Sequence, residues 1–566
     1  MVDFPLSLEK QRTGIEGSRE VGVRRPLIRW LLQGTIYVGA CVPTVRAQDA
    51  VKRPLSAAAA AAPSSAPASL SEALQLYYTG KLDAAATEYR ALINAGNGGP
   101  EAALAYAGFA RVLLKKKAPA EAYDAAAKAV ELAPHSDAAH TALGEVYFRQ
   151  GRITQAESEF RPLVRSSTAI ARAYLGLARI YHAASYYQQW KLLIDQAYAL
   201  NPLDPDIRRE RIRTLSLKER IKALQDYLSG ETNDDDVGRK GLQHALVTWK
   251  DWMSQPIRPC RLITGINSTQ VDMERLLYDP HSLRGFGLKA QINGVSSRLL
   301  LDTGAPGILI NRKLAEKAGV KRVVETDIRG LGDKGAAGGY VGYVDSVKIG
   351  ELEFRNCYLE VMDKRSVADE DGLIGADVFS RFLVDIDFPN EKFRLSPLPA
   401  APGQTAIESA LASTEEDTPR FRDRYFAPEM KSFTPVLRFG HQLLIPTKIN
   451  NSEPKLFIID TGAFNDTISP GAAREVTKVH DSQEFRVRGL NGAITDTFMA
   501  DELTLQFSHF KQPTRDLVAF DTTDISENLG IEVSGFLGFA MLRKMEIKID
   551  YRDGLVDFTY DPQRWH

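Results

Sequence analysis

Two acids occur in this sequence in the same setting. Asp302 lies in Leu299-Leu300-Leu301-Asp302-Thr303-Gly304-Ala305, and Asp460 lies in Phe457-Ile458-Ile459-Asp460-Thr461-Gly462-Ala463, 158 residues later. Three apolar residues before an acid read as a buried strand that stops by presenting one carboxylate. The glycine that follows permits a tight turn and lets backbone N–H groups approach the acid. Two carboxylates held about 3 Å apart cannot both ionise, so they share one proton. Such a pair titrates as a unit. Its ionised member can take a proton from a bridging water while its protonated member gives one to a carbonyl oxygen. That chemistry hydrolyses a peptide bond without a metal or an organic cofactor. Asp302 and Asp460 are therefore the expected catalytic residues, with no metal ligands and no cofactor.

Each acid belongs to a longer matched pattern. Leu288–Gly294 alternates and ends in an Asn-Gly turn before the first copy, and Leu444–Asn451 plays the same part before the second. Leu373-Ile374-Gly375 follows the first acid by 73 residues, and Phe536-Leu537-Gly538 follows the second by 78, counted to the glycine. Strand-like runs, Phe382–Phe388 and Met545–Tyr551, come next. The C-terminal half thus reads as a duplicated β-rich lobe. Asp-Thr-Gly-Ala after an apolar strand, with a later hydrophobic-hydrophobic-Gly segment, resembles the aspartic peptidases, and the Ala and short lobes resemble their retroviral-type branch. The resemblance covers roughly residues 260–560. It implies an all-β bilobal fold acting on a polypeptide substrate, with one Asp from each lobe at the interface. It also implies that Thr303 and Thr461 bond across that interface and that Gly375 and Gly538 support the Asp loops, beside Gly304 and Gly462.

A peptidase needs a cover for its substrate. Gly330–Tyr340 is the expected flap, with Gly332, Gly335 and Tyr340 as its site residues and Gly489–Ile494 as a weaker counterpart. The stretch contains Gly-x-Gly-x-x-Gly, but strand-like residues follow where a phosphate site needs a helix start.

Ahead of the lobes the pattern is helical. Gly108 and Gly176 are 68 residues apart, and so are Pro134 and Pro202, which is two periods of 34. Gly80 and Gly151 mark matching turns. This period, with small residues where helices cross, resembles the tetratricopeptide repeat, in three to four units. Such repeats imply a protein partner or polypeptide held along a concave face, with a plain spacer as the alternative. After the repeats, Arg208, Arg209, Arg211 and Arg213 read as a solvated helix face. Glu231–Asp236 reads as a loop, with calcium a weak alternative, and Trp249 and Trp252 as docking residues.

The N-terminus reads as an export signal of bacterial type. Arg24, Arg25 and Arg29 precede the apolar run Trp30–Ala40, and Val45-Arg46-Ala47 is an acceptable cleavage site. Val38-Gly39-Ala40-Cys41 also resembles a lipoprotein box, so membrane attachment is expected only if Cys41 is lipidated. Net charge is −1, which gives no field to attract nucleic acid. Of three cysteines, Cys260 and Cys357 are expected as separate buried thiols, a bridge staying open for an oxidising compartment.

The organisation expected is a signal peptide (1–47), an Ala/Pro linker (48–69), tetratricopeptide-like repeats (70–205), a helical connector (206–257), lobe 1 (258–396), a linker (397–430) and lobe 2 (431–561). The function expected is an exported, periplasmic or secreted aspartic endopeptidase. The alternative is a non-catalytic peptide-binding scaffold on a degenerate protease fold.

Overall fold

The computed structural model describes residues 69–562, apart from 96–97, 167–169, 256–259, 332–334, 403–420 and 483–485, together with two short strands, 2–3 and 33–36. The expected export signal, with Cys41, otherwise lies outside the described residues.

Helical hairpins come first: α1 (Leu70–Tyr78) with α2 (Leu82–Ala95), α3 (Pro100–Lys115) with α4 (Pro119–Leu132), α5 (Asp137–Arg149) with α6 (Ile153–Leu163), and α7 (Ala171–Ala183) with α8 (Tyr187–Leu200). The glycines in their middles are there for close approach. A Cβ on Gly108 would lie 2.3 Å from the Tyr89 ring, and Cβ atoms on Gly144 and Gly176 would lie 2.7 and 2.3 Å from Phe160. Each hairpin turns through one left-handed residue: Gly80, Lys117, Gly151 and Ser185. Only the glycines announced this turn in the sequence; Lys117 and Ser185 adopt it against their side-chain preference. Then α9 (Pro205–Arg213), α10 (Leu217–Leu228) and α11 (Asp236–Ser254) complete the helical part.

The helices α1, α3, α5 and α7 lie side by side, and their shared face holds an ionic network. Arg172 on α7 donates from Nε to Glu145 of α5 (2.7 Å) and from Nη1 to Asp204, the cap of α9 (2.7 Å). Tyr77 of α1 donates to Asp206 at 2.8 Å, and Lys115 of α3 pairs with the same carboxylate at 2.8 Å. The first helix and the ninth therefore meet, and these inner-face side chains already have partners within the chain.

The arginines of α9 form the solvated face expected, Arg209 and Arg213 being exposed and Arg208 and Arg211 half-buried. Their guanidiniums are engaged as well: Arg208 lies over the Tyr227 ring, Arg211 over Tyr198, Arg213 over Trp190, and Arg209 pairs with Asp234. Guanidinium planes stack on aromatics contributed by neighbouring elements, which no local pattern announces. The stretch from Glu231 to the start of α11 is the loop expected. Asp234 accepts from Tyr227, Thr232 and Arg209, and Asp235 caps α11 through Gly238 N–H. These two acids are taken by protein donors. Trp252 stacks on Tyr358 of lobe 1, whereas Trp249 packs within the helical part.

In lobe 1 the strand Val295–Asp302 runs parallel to Gly372–Gly375, with Leu301 opposite Ile374 and Asp302 opposite Gly375. In lobe 2 Lys455–Ile459 runs parallel to Gly535–Leu537, with Ile459 opposite Leu537. The same register is built twice. The runs after the two Gly segments are the central pair of a third sheet: Phe382–Asp387 lies antiparallel to Met545–Asp550, Ile386 opposite Ile547. One core runs through both lobes, carrying the aromatic trio Phe286, Phe388 and Phe539 at 5.6–5.9 Å centroid separations.

The helical part docks on both lobes. Lys117 pairs with Glu527 (2.7 Å), and the Arg149 carbonyl accepts from Glu532 N–H (2.9 Å), both in lobe 2. On lobe 1, Lys240 of α11 pairs with Asp327 (2.7 Å) and Asp251 accepts from Tyr358 (2.6 Å). The end of the stretch between the lobes is also fixed: Asp423 caps α8 through Gln188 and Gln189 N–H.

Cys260 and Cys357 form a disulfide across 97 residues, with Cα atoms 4.2 Å apart, where separate thiols were expected. The chain leaving the helical part is laid beside the strand Leu352–Met362, which brings the two sulfurs together. Cys357→Ser is expected to lower stability by roughly 2–5 kcal/mol, read as a shift in the denaturation midpoint that disappears when both proteins are reduced.

Candidate active site

Asp302 and Asp460 end their strands facing each other. Both are fully buried, and each carboxyl lies against the glycine of the other's loop. Below them the two lobes exchange bonds symmetrically. Thr303 N–H donates to Thr461 Oγ1 and Thr461 N–H to Thr303 Oγ1, each at 3.0 Å. Thr303 Oγ1 then donates to the Ile459 carbonyl (2.9 Å) and Thr461 Oγ1 to the Leu301 carbonyl (3.1 Å). Each threonine thus anchors its loop in the other lobe.

The glycines leave room for the acids. A Cβ on Gly304 would lie 2.5 Å from Asp460 Cγ, and one on Gly462 would lie 2.3 Å from Asp302 Oδ2. Gly462→Ala must push the opposing carboxylate by about 1 Å, for which a roughly hundredfold fall in kcat is expected; steady-state kinetics beside a melting curve checks it. Gly375 and Gly538 stand behind the loops. Cβ atoms there would lie 2.2 Å from the Ala305 carbonyl and 2.3 Å from that of Asn465.

The acids are unequally held. Gly304 N–H donates to Asp302 Oδ1 (2.9 Å), whereas Gly462 and Ala463 N–H both donate to Asp460 Oδ1 (2.8 and 3.0 Å). Oδ2 of each acid receives no protein hydrogen bond. Burial pushes the Asp302 carboxyl well above the usual carboxylate range, and the Asp460 charge adds to this. Burial raises Asp460 to about 6, its backbone donors opposing the rise. The extra donor favours charge on Asp460 and the shared proton on Asp302.

The expected flap is a hairpin of Lys321–Ile328 with Ala337–Ile349. Gly332 lies outside the described residues. Gly335 adopts a left-handed turn conformation. Tyr340 is not a cleft residue; its ring packs in the core beneath Arg322, 4.0 Å from the ring centroid. Strand alternation could not say which face it takes. The counterpart hairpin, Arg486–Gly489 with Gly492–Ile494, meets the first one. Asn491 N–H donates to the Leu331 carbonyl (3.1 Å), and its Nδ2 to that of Ile328 (3.2 Å). Leu331 packs against the apolar cluster of lobe 2, and Leu490 against that of lobe 1.

Four residues of the site gave no signal of their role in the sequence. Asp377 accepts from Gly307 N–H (3.0 Å), and Asp466 accepts from Gly538 N–H (2.7 Å), so aspartates at non-equivalent positions buttress the two loops. His441 Nε2 donates to the Gly304 carbonyl (3.1 Å). The buried Tyr551 hydroxyl has no hydrogen-bond partner among the described residues.

Residues 288–378 match the family model described as aspartyl protease, and residues 113–168 match that of the tetratricopeptide repeat. Among curated proteins, DNA damage-inducible protein 1 of Chaetomium globosum is 27% identical over 136 residues, covering 23% of this chain and 30% of that protein. The UBA domain-containing protein Mud1 of Schizosaccharomyces pombe is 30% identical over 132 residues, covering 23% and 38%. DNA damage-inducible protein 1 of Saccharomyces cerevisiae is 26% identical over 218 residues, covering 36% and 47%. The chain therefore spans less than half the length of these relatives. A retropepsin-like aspartic protease from Rickettsia conorii aligns at 22% identity and TM-score 0.18, covering 24% of this chain and 94% of that one. Aspartic proteinase from Irpex lacteus aligns at 10% identity and TM-score 0.31, covering 53% and 98%. The chain carries an aspartyl protease-like domain preceded by a tetratricopeptide repeat region.

Proposed function

We propose that the chain is an aspartic endopeptidase whose two acids act within one polypeptide. The observation that carries this reading is a pair of buried carboxyls, one from each lobe and each set against the other loop's glycine, over a reciprocal threonine bridge. In the reaction a water seated between the Oδ2 atoms loses a proton to the ionised Asp460 and attacks the peptide carbonyl. Asp302 gives its proton to the carbonyl oxygen, and collapse of the tetrahedral intermediate returns a proton to the leaving amine. The hairpin tips must part to admit a polypeptide, since both acids are fully buried beneath them. Cleavage of a peptide library by the purified full chain, with Asp460→Asn as its control, tests the reading.

The sealed acids also favour a second reading, a non-catalytic peptide binder. Peptide binding without cleavage by the unmodified chain would select it. The repeats fit recruitment of a protein partner, and the packed inner face directs that partner to the outer helices. The disulfide supports residence in an oxidising compartment, periplasmic or secreted. Membrane attachment would require a lipid on Cys41. Cell fractionation and non-reducing peptide mapping test the location.

A further inference from the structure

Each lobe begins with a hairpin whose tip reaches toward the other lobe's Asp loop, and the two tips are treated differently. The lobe 1 hairpin, Glu274–Asp279 with Ser282–Ile292, sets Tyr278 against Phe464, 6.4 Å between centroids. Leu277 and Tyr278 at that tip are 48% and 37% exposed. The lobe 2 hairpin, Leu437–Phe439 with Gln442–Ile449, turns through left-handed Gly440, and its tip is engaged on both sides.

On the inner side, His441 donates from Nε2 to the Gly304 carbonyl at 3.1 Å. A carbonyl can only accept, so this bond fixes the proton on Nε2. Gly304 is the residue whose own N–H holds Asp302 Oδ1. The imidazole therefore grips the peptide unit next to the one that orients the acid. Arg438 secures the hairpin from a second direction. Its Nη1 donates to the Tyr551 carbonyl (2.8 Å), and its guanidinium lies over that ring.

On the outer side the helical repeats cover the same hairpin. Phe148, in the last turn of α5, meets Phe439 at 6.4 Å between centroids, and α7 lies along the Leu437–Phe439 strand. The next turn continues the contact. A Cβ on Gly151 would lie 3.3 Å from Leu456, on the strand that carries Asp460. The repeats thus rest directly on the back of the site.

We propose that His441 is a positioning residue for the Asp302 loop, and that the repeats hold it in place through Phe148 on Phe439. It acts on the acid through Gly304, without touching the reacting atoms. The helical array would then be part of what keeps the acids in register, and a ligand that shifts α5 would change turnover. This rests on the peptidase reading for its kinetic consequence, but its geometric content does not.

The test uses the full chain with His441→Leu, His441→Gln, Phe148→Ala and Phe148→Leu. Hydrogen–deuterium exchange of the 302–307 amides is followed beside kcat, KM and the melting temperature. His441→Leu should speed loop exchange at least about fivefold and lower kcat about tenfold, the order of one lost hydrogen bond. KM should stay within about twofold. His441→Gln, whose amide can donate to the same carbonyl, should recover most of both effects. Phe148→Ala should shift exchange and kcat in the same direction, while Phe148→Leu stays near the parent. The double variant His441→Leu with Phe148→Ala should be no worse than His441→Leu alone, because both remove one contact. Unchanged loop exchange in His441→Leu, or an effect confined to KM, overturns the proposal and leaves the peptidase reading standing. A parent that cleaves nothing overturns the peptidase reading, and loop exchange still decides the role of His441.

Discussion

Asp302→Asn and Asp460→Asn, made singly in the full chain, are each expected to lower kcat/KM by at least about a thousandfold. An amide can neither take the proton of the attacking water nor replace the proton given to the carbonyl oxygen. Because the pair acts as a unit, the double variant should be little worse than either single one. The fold should survive. Neither amide adds a charge to the buried site, so the melting temperature should not fall. The pH dependence gives a second check. Both carboxyls are raised above their ordinary value of 3.8, Asp460 to about 6. Between 3.8 and the folded-state values the native pair holds more protons than the unfolded chain. Its contribution to stability is therefore greatest at acid pH and is lost as pH rises through about 6. Either Asn variant should flatten that dependence. Full activity in one single variant would end the shared-proton mechanism.

Arg172→Leu carries the largest expected effect on stability. Arg172 is the common partner of Glu145, Asp204 and Asp206, three carboxylates buried against the helices. Arg111 and Lys115 stay, each with one of these acids. Removing the guanidinium leaves more buried negative charge than they can balance, and breaking such a cluster costs about 3–5 kcal/mol. Guanidinium chloride unfolding followed by helical ellipticity measures it. A change below about 1 kcal/mol would mean that the network is far more hydrated than its burial implies. Its pH linkage opposes that of the Asp302–Asp460 pair. Arg172 and Arg111 hold Glu145 below its ordinary value, and Lys115 and Arg172 hold Asp206 well below its own. These depressed acids stabilise above the unfolded values near 4, and the gain is lost as pH falls through the folded ones. Acid thus favours the pair and weakens the helical part, and the two trends bracket the range in which the whole chain works.

The parts of this molecule that repeat were legible in its sequence. The two Asp-Thr-Gly-Ala loops, their feeding strands and the 34-residue helical period each occur more than once, and repetition separates a pattern from accident. The contacts that occur once were not legible. Nothing local indicates that Ile386 faces Ile547, or that His441 bonds Gly304, 137 residues away. The face that Tyr340 takes was left open because alternation fixes that a strand has two faces but not which is outside. The stacking of the α9 arginines was not legible because their aromatic partners lie on other elements. Cys260 and Cys357 gave no spacing signal, since the bridge follows from the path of the chain leaving the helices.

A polypeptide has a direction, and a cleft built from two copies of one surface cannot read it. Here the copies share one gene, so each substitution falls on one side only. Asp377 on one side answers Asp466 on the other, and His441 bonds one loop while His281, at the matching turn of lobe 1, is exposed. Two halves carried on one chain need not match, which gives the site a left and a right.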